Sequence, residues 1–246
     1  MAIDYNKRPS RPEPPPAAPT GAVSYTKPQA APPPAAPQPA APVNLSKITL
    51  TKSAPAVSLT KQGTTTGQLR VSLQWTARSG SQSKGFFKLK EKSIDLDLGC
   101  MWELADGSKG VVQALGNAFQ SPGVGGPIVR LDADDRSGAS AAGENLFVDL
   151  SQSQHIKRIL VFAYIYEGAP NWASANATVT LFPVSGPEIE MRLDEPDPGA
   201  RFCAIAMLEN RDGELTVNRE VRYIKGSQRT LDEAYGWGMR WEAGSK

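Results

Sequence analysis

The sequence predicts an all-β fold: a two-sheet β-sandwich preceded by a disordered Pro/Ala-rich N-terminal segment. Many short stretches alternate apolar with polar residues, the period of a half-buried strand. Turn-forming Gly, Pro, Asn and Asp separate these stretches about every ten residues, the rhythm of a sandwich. Only residues 230–236 carry helix signals, so a helical or α/β architecture has nothing to build on.

The chain begins with the part that cannot fold. Thirteen of its 21 prolines precede residue 45, in a stretch dominated by Pro and Ala. Proline removes backbone donors and alanine buries little area, so such a segment cannot offset its ordering entropy. Residues 1–44 are therefore expected to be a disordered tether, and residues 45–246 one domain. Roughly 200 residues are ample for a single core.

The strands follow in order. Residues 48–52 and 57–61 are a near-repeat, Ile-Thr-Leu-Thr-Lys and Val-Ser-Leu-Thr-Lys, with Pro55 forcing a turn between them. Residues 69–75 place Leu69, Val71, Leu73 and Trp75 on one face. Residues 78–84 are Ser/Gly-rich and read as a loop. A strand containing Asp95 and Asp97 runs to about Leu104, a turn at 105–108 follows, and 111–115 resumes the sheet. Residues 116–127 are irregular, 127–131 form a short strand, and 147–150 another. Residues 156–166 contain the longest apolar stretch, fit for a buried strand. Strands at 177–184, 188–193, 201–209 and 214–224 complete the set, the last two joined by the hairpin signal Asn210-Arg-Asp-Gly213. Thr230 is the expected N-cap of the helix, with Asp232 and Glu233 in its first turn.

Charge and special residues exclude several functions. Net charge is only +2, with no long basic run. Lys84, Lys88, Lys90 and Lys92 surround Phe86 and Phe87, but acidic residues follow at once, so a solvated hairpin is the better reading than a nucleic-acid surface. Cys100 and Cys203 are the only cysteines; both fall on strands and read as buried thiols. The N-terminus lacks the apolar core of a signal peptide, and no stretch is long enough to span a membrane as a helix, so a soluble, cytoplasmic protein is expected. His155 is the lone histidine, on a polar Ser-Gln-Ser-Gln segment. It offers no imidazole pair for a metal and no relay for a nucleophile.

One constellation carries chemistry. In Ile94-Asp95-Leu96-Asp97-Leu98 the alternation sends Ile94, Leu96 and Leu98 to one face and both aspartates to the other. Two carboxylates that close repel unless a positive charge lies between them. A second acidic stretch contains Asp134 and Asp135, with Gly138 after them and Glu144 beyond. Brought to the same face, it would complete an all-oxygen cage for one hard cation such as calcium. The stretch is not an EF-hand: spacing and terminal glutamate are wrong, and no helices flank it.

These pieces, in order, resemble the TerD-domain proteins of tellurium-resistance and stress-response systems, most of all the TerA-type members. The resemblance runs from about Asn44 to the C-terminus. It is carried by Leu-Thr-Lys-Ser-Ala-Pro ending at Pro55, Leu-Gln-Trp75, Asp95-Leu-Asp97, Asp134-Asp-Arg-Ser-Gly138 with Glu144, and Ile156-Lys-Arg-Ile-Leu-Val-Phe-Ala163. The family's acidic loop reads G-D-N-x-T-G-E-G-D-G-D-D-E. Asp134 matches its first aspartate, while Asp135, Ser137 and Gly138 take the Asn, Thr and Gly places. Ala139-Ser-Ala-Ala-Gly143 replaces the later carboxylates, and Glu144 remains at the end.

The resemblance implies a TerD-like β-sandwich that binds calcium near a sheet edge and is not an enzyme. It also implies partners among the other proteins of a tellurium-resistance system, membrane-associated ones included, with no nucleic acid and no direct membrane insertion. The implied metal ligands are Asp95, Asp97, Asp134, Asp135 and Glu144, holding one calcium ion. Two other functions compete: a metal-dependent hydrolase, and carbohydrate binding through exposed Trp172 and Trp237 on a β-sandwich.

Overall fold

The computed structural model describes residues 47–76, 94–132, 143–168, 172–194, 196 and 199–242. The expected tether, the lysine-rich stretch around Phe86 and Phe87, and Asp134, Asp135 and Gly138 lie outside the described residues. Twelve strands run in chain order: β1 (Lys47–Thr49), β2 (Ala56–Ser58), β3 (Gln68–Gln74), β4 (Asp95–Leu104), β5 (Lys109–Gln113), β6 (Val129–Leu131), β7 (Glu144–Asp149), β8 (Ile156–Glu167), β9 (Ala177–Phe182), β10 (Glu188–Leu193), β11 (Phe202–Arg211) and β12 (Glu214–Ile224). Short 3₁₀ turns occupy Leu115–Asn117 and Leu150–His155, and the helices are α1 (Trp172–Ala175) and α2 (Gln228–Tyr235).

The strands form two six-stranded sheets. Sheet I has the order β1-β10-β9-β3-β7-β6, and sheet II the order β2-β12-β11-β8-β4-β5. Among the described strands only β1 and β10 pair in parallel; the other ladders are antiparallel. The near-repeat therefore splits, its first copy edging sheet I and its second edging sheet II. Both strands are shorter than the alternation suggested, because the chain turns after Ser58, where Gln62 N–H donates to Ser58 O.

The core lies between the sheets, as the period-two pattern requires. Leu69, Val71 and Leu73 of β3 and Leu146 and Val148 of β7 face Leu96, Leu98 and Cys100 of β4 and Val161 and Ala163 of β8, all fully buried. Cys100 and Cys203 are both buried thiols, as expected. The hairpin between β11 and β12 is the one expected: Asp212 and Gly213 sit at φ 53° and 87°, the positive values a type I′ turn demands.

A second cluster covers the outer face of sheet II. Met101, Leu160, Phe162 and Met207 pack there beneath Leu231 of α2 and Trp237 just beyond it. The helix starts earlier than expected. Ser227, not Thr230, is the N-cap; Thr230 stands at N3, where its Oγ1 accepts the Ser227 N–H at 3.3 Å. Gly236 ends the helix in the left-handed region at φ 62°, the usual glycine stop.

Two carboxylates fasten this C-terminal layer. Asp232, buried within α2, accepts from Gly238 N (2.7 Å), Met239 N (2.9 Å) and Trp241 Nε1 (3.0 Å). Glu103 of β4 is buried and accepts from Lys157 Nζ at 2.8 Å and Arg158 Nε at 2.6 Å, with Lys109 Nζ at 3.8 Å. The Arg158 guanidinium then lies 3.8 Å over the Trp237 ring and donates to Tyr235 O and Gly236 O. Burial alone would push the Glu103 carboxyl up, but the hydrogen bonds and charges of Lys157, Arg158 and Lys109 hold it below the ordinary glutamate range.

Candidate metal centre at the start of β4

β4 opens with the two predicted aspartates. Leu96 and Leu98 point into the core, and Asp95 and Asp97 to the outer face of sheet II. Asp95 is half-buried, whereas Asp97 is 1% exposed. The cross-strand neighbour of Asp97 is Tyr164 of β8, itself 5% exposed. A bulge follows: Asp95 pairs with Glu167 but Leu96 with Ile165. The extra residue, Tyr166, breaks the ladder beside Asp95, as bulges at functional edges commonly do.

β5 stops at Gln113, opposite Gly99, so among the described strands this end of β4 is an edge, with no strand beside the residues before Gly99. The Leu98 N–H, which such an edge would strand, instead donates to Glu144 Oε2 at 2.6 Å. Glu144 is the first residue of β7 in sheet I and is 2% exposed. Its carboxylate bridges from one sheet to the other and arrives one residue from Asp97. Gly143 makes this possible: it sits at φ 62°, and a Cβ there would collide with Leu73 O. The composition of the acidic stretch drew the eye to carboxylates and not to this glycine, although a glycine just before a strand is the signal that could have found it.

Three of the five predicted ligands are thus described: Asp95 and Asp97 share a face, and Glu144 reaches the same edge from the opposite sheet. Asp134 and Asp135 lie outside the described residues. Among the described residues no group of three or more His, Cys, Asp or Glu side chains is close enough to hold a metal. The side chains that lie along this part of β4 offer carboxylate oxygens without sulfur or imidazole, a donor type suited to a hard cation and not to zinc.

The other candidates fall elsewhere. Trp172 and Trp237 are buried, not exposed: Trp172 Nε1 donates to Ala200 O at 2.8 Å and Trp237 Nε1 to Trp102 O at 3.2 Å. Their apolar bulk is consumed by packing, so they offer no platform for a sugar. His155 ends the second 3₁₀ turn and lines a cavity of about 240 Å³ with Leu104, Asp106, Ser108 and Val124, at the far end of β4. Ser108 donates to Asp106 through Oγ at 2.6 Å and N at 2.9 Å, which lowers the Asp106 carboxyl. The serine hydroxyl is thereby committed to the carboxylate, not to the imidazole that would have to activate it. Among the described residues no helix is long and apolar enough to cross a membrane.

No protein-family model matches the chain. In sequence it is 44% identical over 199 residues to the tellurium resistance protein TerA of an Alcaligenes species, covering 80% of this chain and 58% of that protein. The chain therefore spans somewhat over half the length of that relative. Among solved structures, a protein of unknown function, SAV2460, superposes with a TM-score of 0.50 at 16% identity, covering 68% of this chain and 95% of the other. A homologue of the telluride resistance protein TerD from Streptomyces coelicolor A3(2) gives a TM-score of 0.46 at 18% identity, with the same coverage. The structural likeness concerns the β-sandwich; the sequence likeness goes further, and this chain belongs among the relatives of the tellurium resistance protein TerA.

Proposed function

We propose that this protein is a non-enzymatic module of tellurium resistance and stress response that binds one calcium ion and serves as a scaffold for other proteins of its resistance system. The observation that carries the first part is the 44% identity to TerA. The calcium reading is supported by Asp95 and Asp97 sharing the outer face at the start of β4 and by Glu144, whose carboxylate reaches the Leu98 N–H of the same strand from the other sheet. Asp134 and Asp135, from the segment that ends at Glu144, are the proposed remaining carboxylate ligands. Backbone carbonyls and water would complete a shell of six to eight oxygens.

The test is a calcium titration of chelated protein, followed by native mass spectrometry and thermal melting. One bound ion is expected. Calcium at a hundredfold excess over its dissociation constant adds about 2.7 kcal/mol if only the folded state binds. The melting temperature should then rise by several degrees and fall back on chelation. No shift at millimolar calcium removes the metal from the proposal and leaves the scaffold. Metal-stimulated turnover in a hydrolase screen would replace the scaffold by the hydrolase reading.

A further inference from the structure

The outer face of sheet I is polar and carries one row of a different character. Arg130 of β6 stands opposite Phe147 of β7, Phe147 opposite Arg70 of β3, and Arg70 opposite Phe182 of β9. The row reads Arg-Phe-Arg-Phe across four adjacent strands. The Arg130 guanidinium lies 4.1 Å from the Phe147 ring centre, and that of Arg70 lies 3.9 Å from the Phe182 ring centre. All four side chains are partly exposed. Arg70 Nη1 also donates to Asn145 Oδ1 at 3.1 Å.

Neither guanidinium has a carboxylate partner among the described residues. Two carboxylates of the same face are occupied: Glu190 is paired with Lys47 and Arg192, and Asp149 accepts from Ser151 and Gln152. Stacking on phenylalanine holds each guanidinium over a ring, and a guanidinium carries five N–H donors, so that donors beyond the one Arg70 gives Asn145 can recognise a carboxylate.

Spacing and chemistry select the partner. Arg130 and Arg70 stand two strands apart, about 9.6 Å, and each leans one strand further in the same direction, so the separation is kept. Seven residues of an α-helix rise about 10.5 Å and return to the same face. Same-face residues of an extended chain recur at about 6.8 Å and miss both forks. A nucleic acid fits poorly, because each ring already carries a guanidinium where a base would stack, and two cations neutralise little phosphate. The geometry points to a docking surface for an acidic helix of a partner protein, laid across the strands with carboxylates at positions i and i+7, gripped by Arg130 and Arg70.

None of the four residues of the row is a proposed calcium ligand, so the experiment is run on the full chain in chelator at low salt. The probe is a fluorescent, stapled helical peptide with glutamates at i and i+7, read by anisotropy. The R70A/R130A variant should bind at least tenfold more weakly. Arg70→Lys and Arg130→Lys, which keep the charge and the fold but lose the fork, should each weaken binding several-fold. Moving the second glutamate to i+4 should cost as much as losing one arginine. Equal binding by the i+4 peptide or by the variants, or no binding of the i+7 peptide at millimolar concentration, overturns the proposal. Tighter binding of a single-stranded oligonucleotide overturns it in favour of nucleic acid.

Discussion

Asp97 is as buried as the leucines that flank it, and Glu144 is buried nearly as deeply; a buried carboxylate is costly unless hydrogen bonds or a cation offset the lost hydration. This is the physical ground for testing them one at a time. Asp97→Ala and Asp134→Ala are each expected to abolish the calcium-induced rise in melting temperature, while Asp106→Ala, whose partner is Ser108, should leave it intact. Without calcium, Asp97→Ala should be neutral or slightly stabilising, because it relieves repulsion from Asp95. A loss well over about 1 kcal/mol would assign these groups to structural hydrogen bonds instead. Asp232 differs in that three N–H groups donate to it. Asp232→Ala strands them, and should cost about 2 kcal/mol in urea denaturation and speed amide exchange at Gly238 and Met239. Sequence patterning made the site half legible. The alternation around Asp95 fixed which face the aspartates take, because a strand's period leaves no choice. It could not show Glu144 bonding Leu98, since that contact depends on where β5 stops in a different part of the chain.

At the scale of elements, β4 works as a spine with charged groups at both ends, the two aspartates at its start and Glu103 among three cations near its close. The far cluster, Glu103 with Lys157, Arg158 and Lys109, connects sheet II to α2 through Arg158 and Trp237. The folded Glu103 carboxyl titrates below its unfolded value. Its contribution is therefore full above about pH 4.3 and is lost as pH falls further, through the lowered folded value. Glu103→Gln should destabilise the protein by about 2 kcal/mol at neutral pH, and the gap between variant and parent should close in acid-denaturation curves. The elements themselves were readable where alternation ran long, as in β3, where an apolar stretch marked a buried strand, as in β8, and where a hairpin turn joined two strands, as in β11 and β12. The helix boundary was misplaced because Ser227 and Thr230 both suit an N-cap, and only the reciprocal bond between them decides. Trp172 and Trp237 were misjudged because a tryptophan near a turn reads the same in sequence whether it faces solvent or the core.

For the whole molecule, the described core lies within residues 48–241, and the Pro/Ala composition gives the first 44 residues little to add. A chain beginning at Val43 is expected to melt within a few degrees of the full-length protein; a large drop would mean that the N-terminal segment docks on the domain. The fold class followed from the rhythm of strands and turns, which is a local property. The order of strands in each sheet did not, because it rests on pairings between distant parts of the chain.

One of those pairings has a consequence in time. β1 lies along β10, and β2 along β12, so these two early strands find their ladders only when β10 and β12 have been made. Closing such long loops is slow for entropic reasons, so a nascent chain of this kind carries β1 and β2 unlatched while the strands between them and their partners are synthesised. Synthesis that stalls before β10 yields a polypeptide whose opening segment is left waiting, and it is at that stage that a chaperone or a protease would meet it.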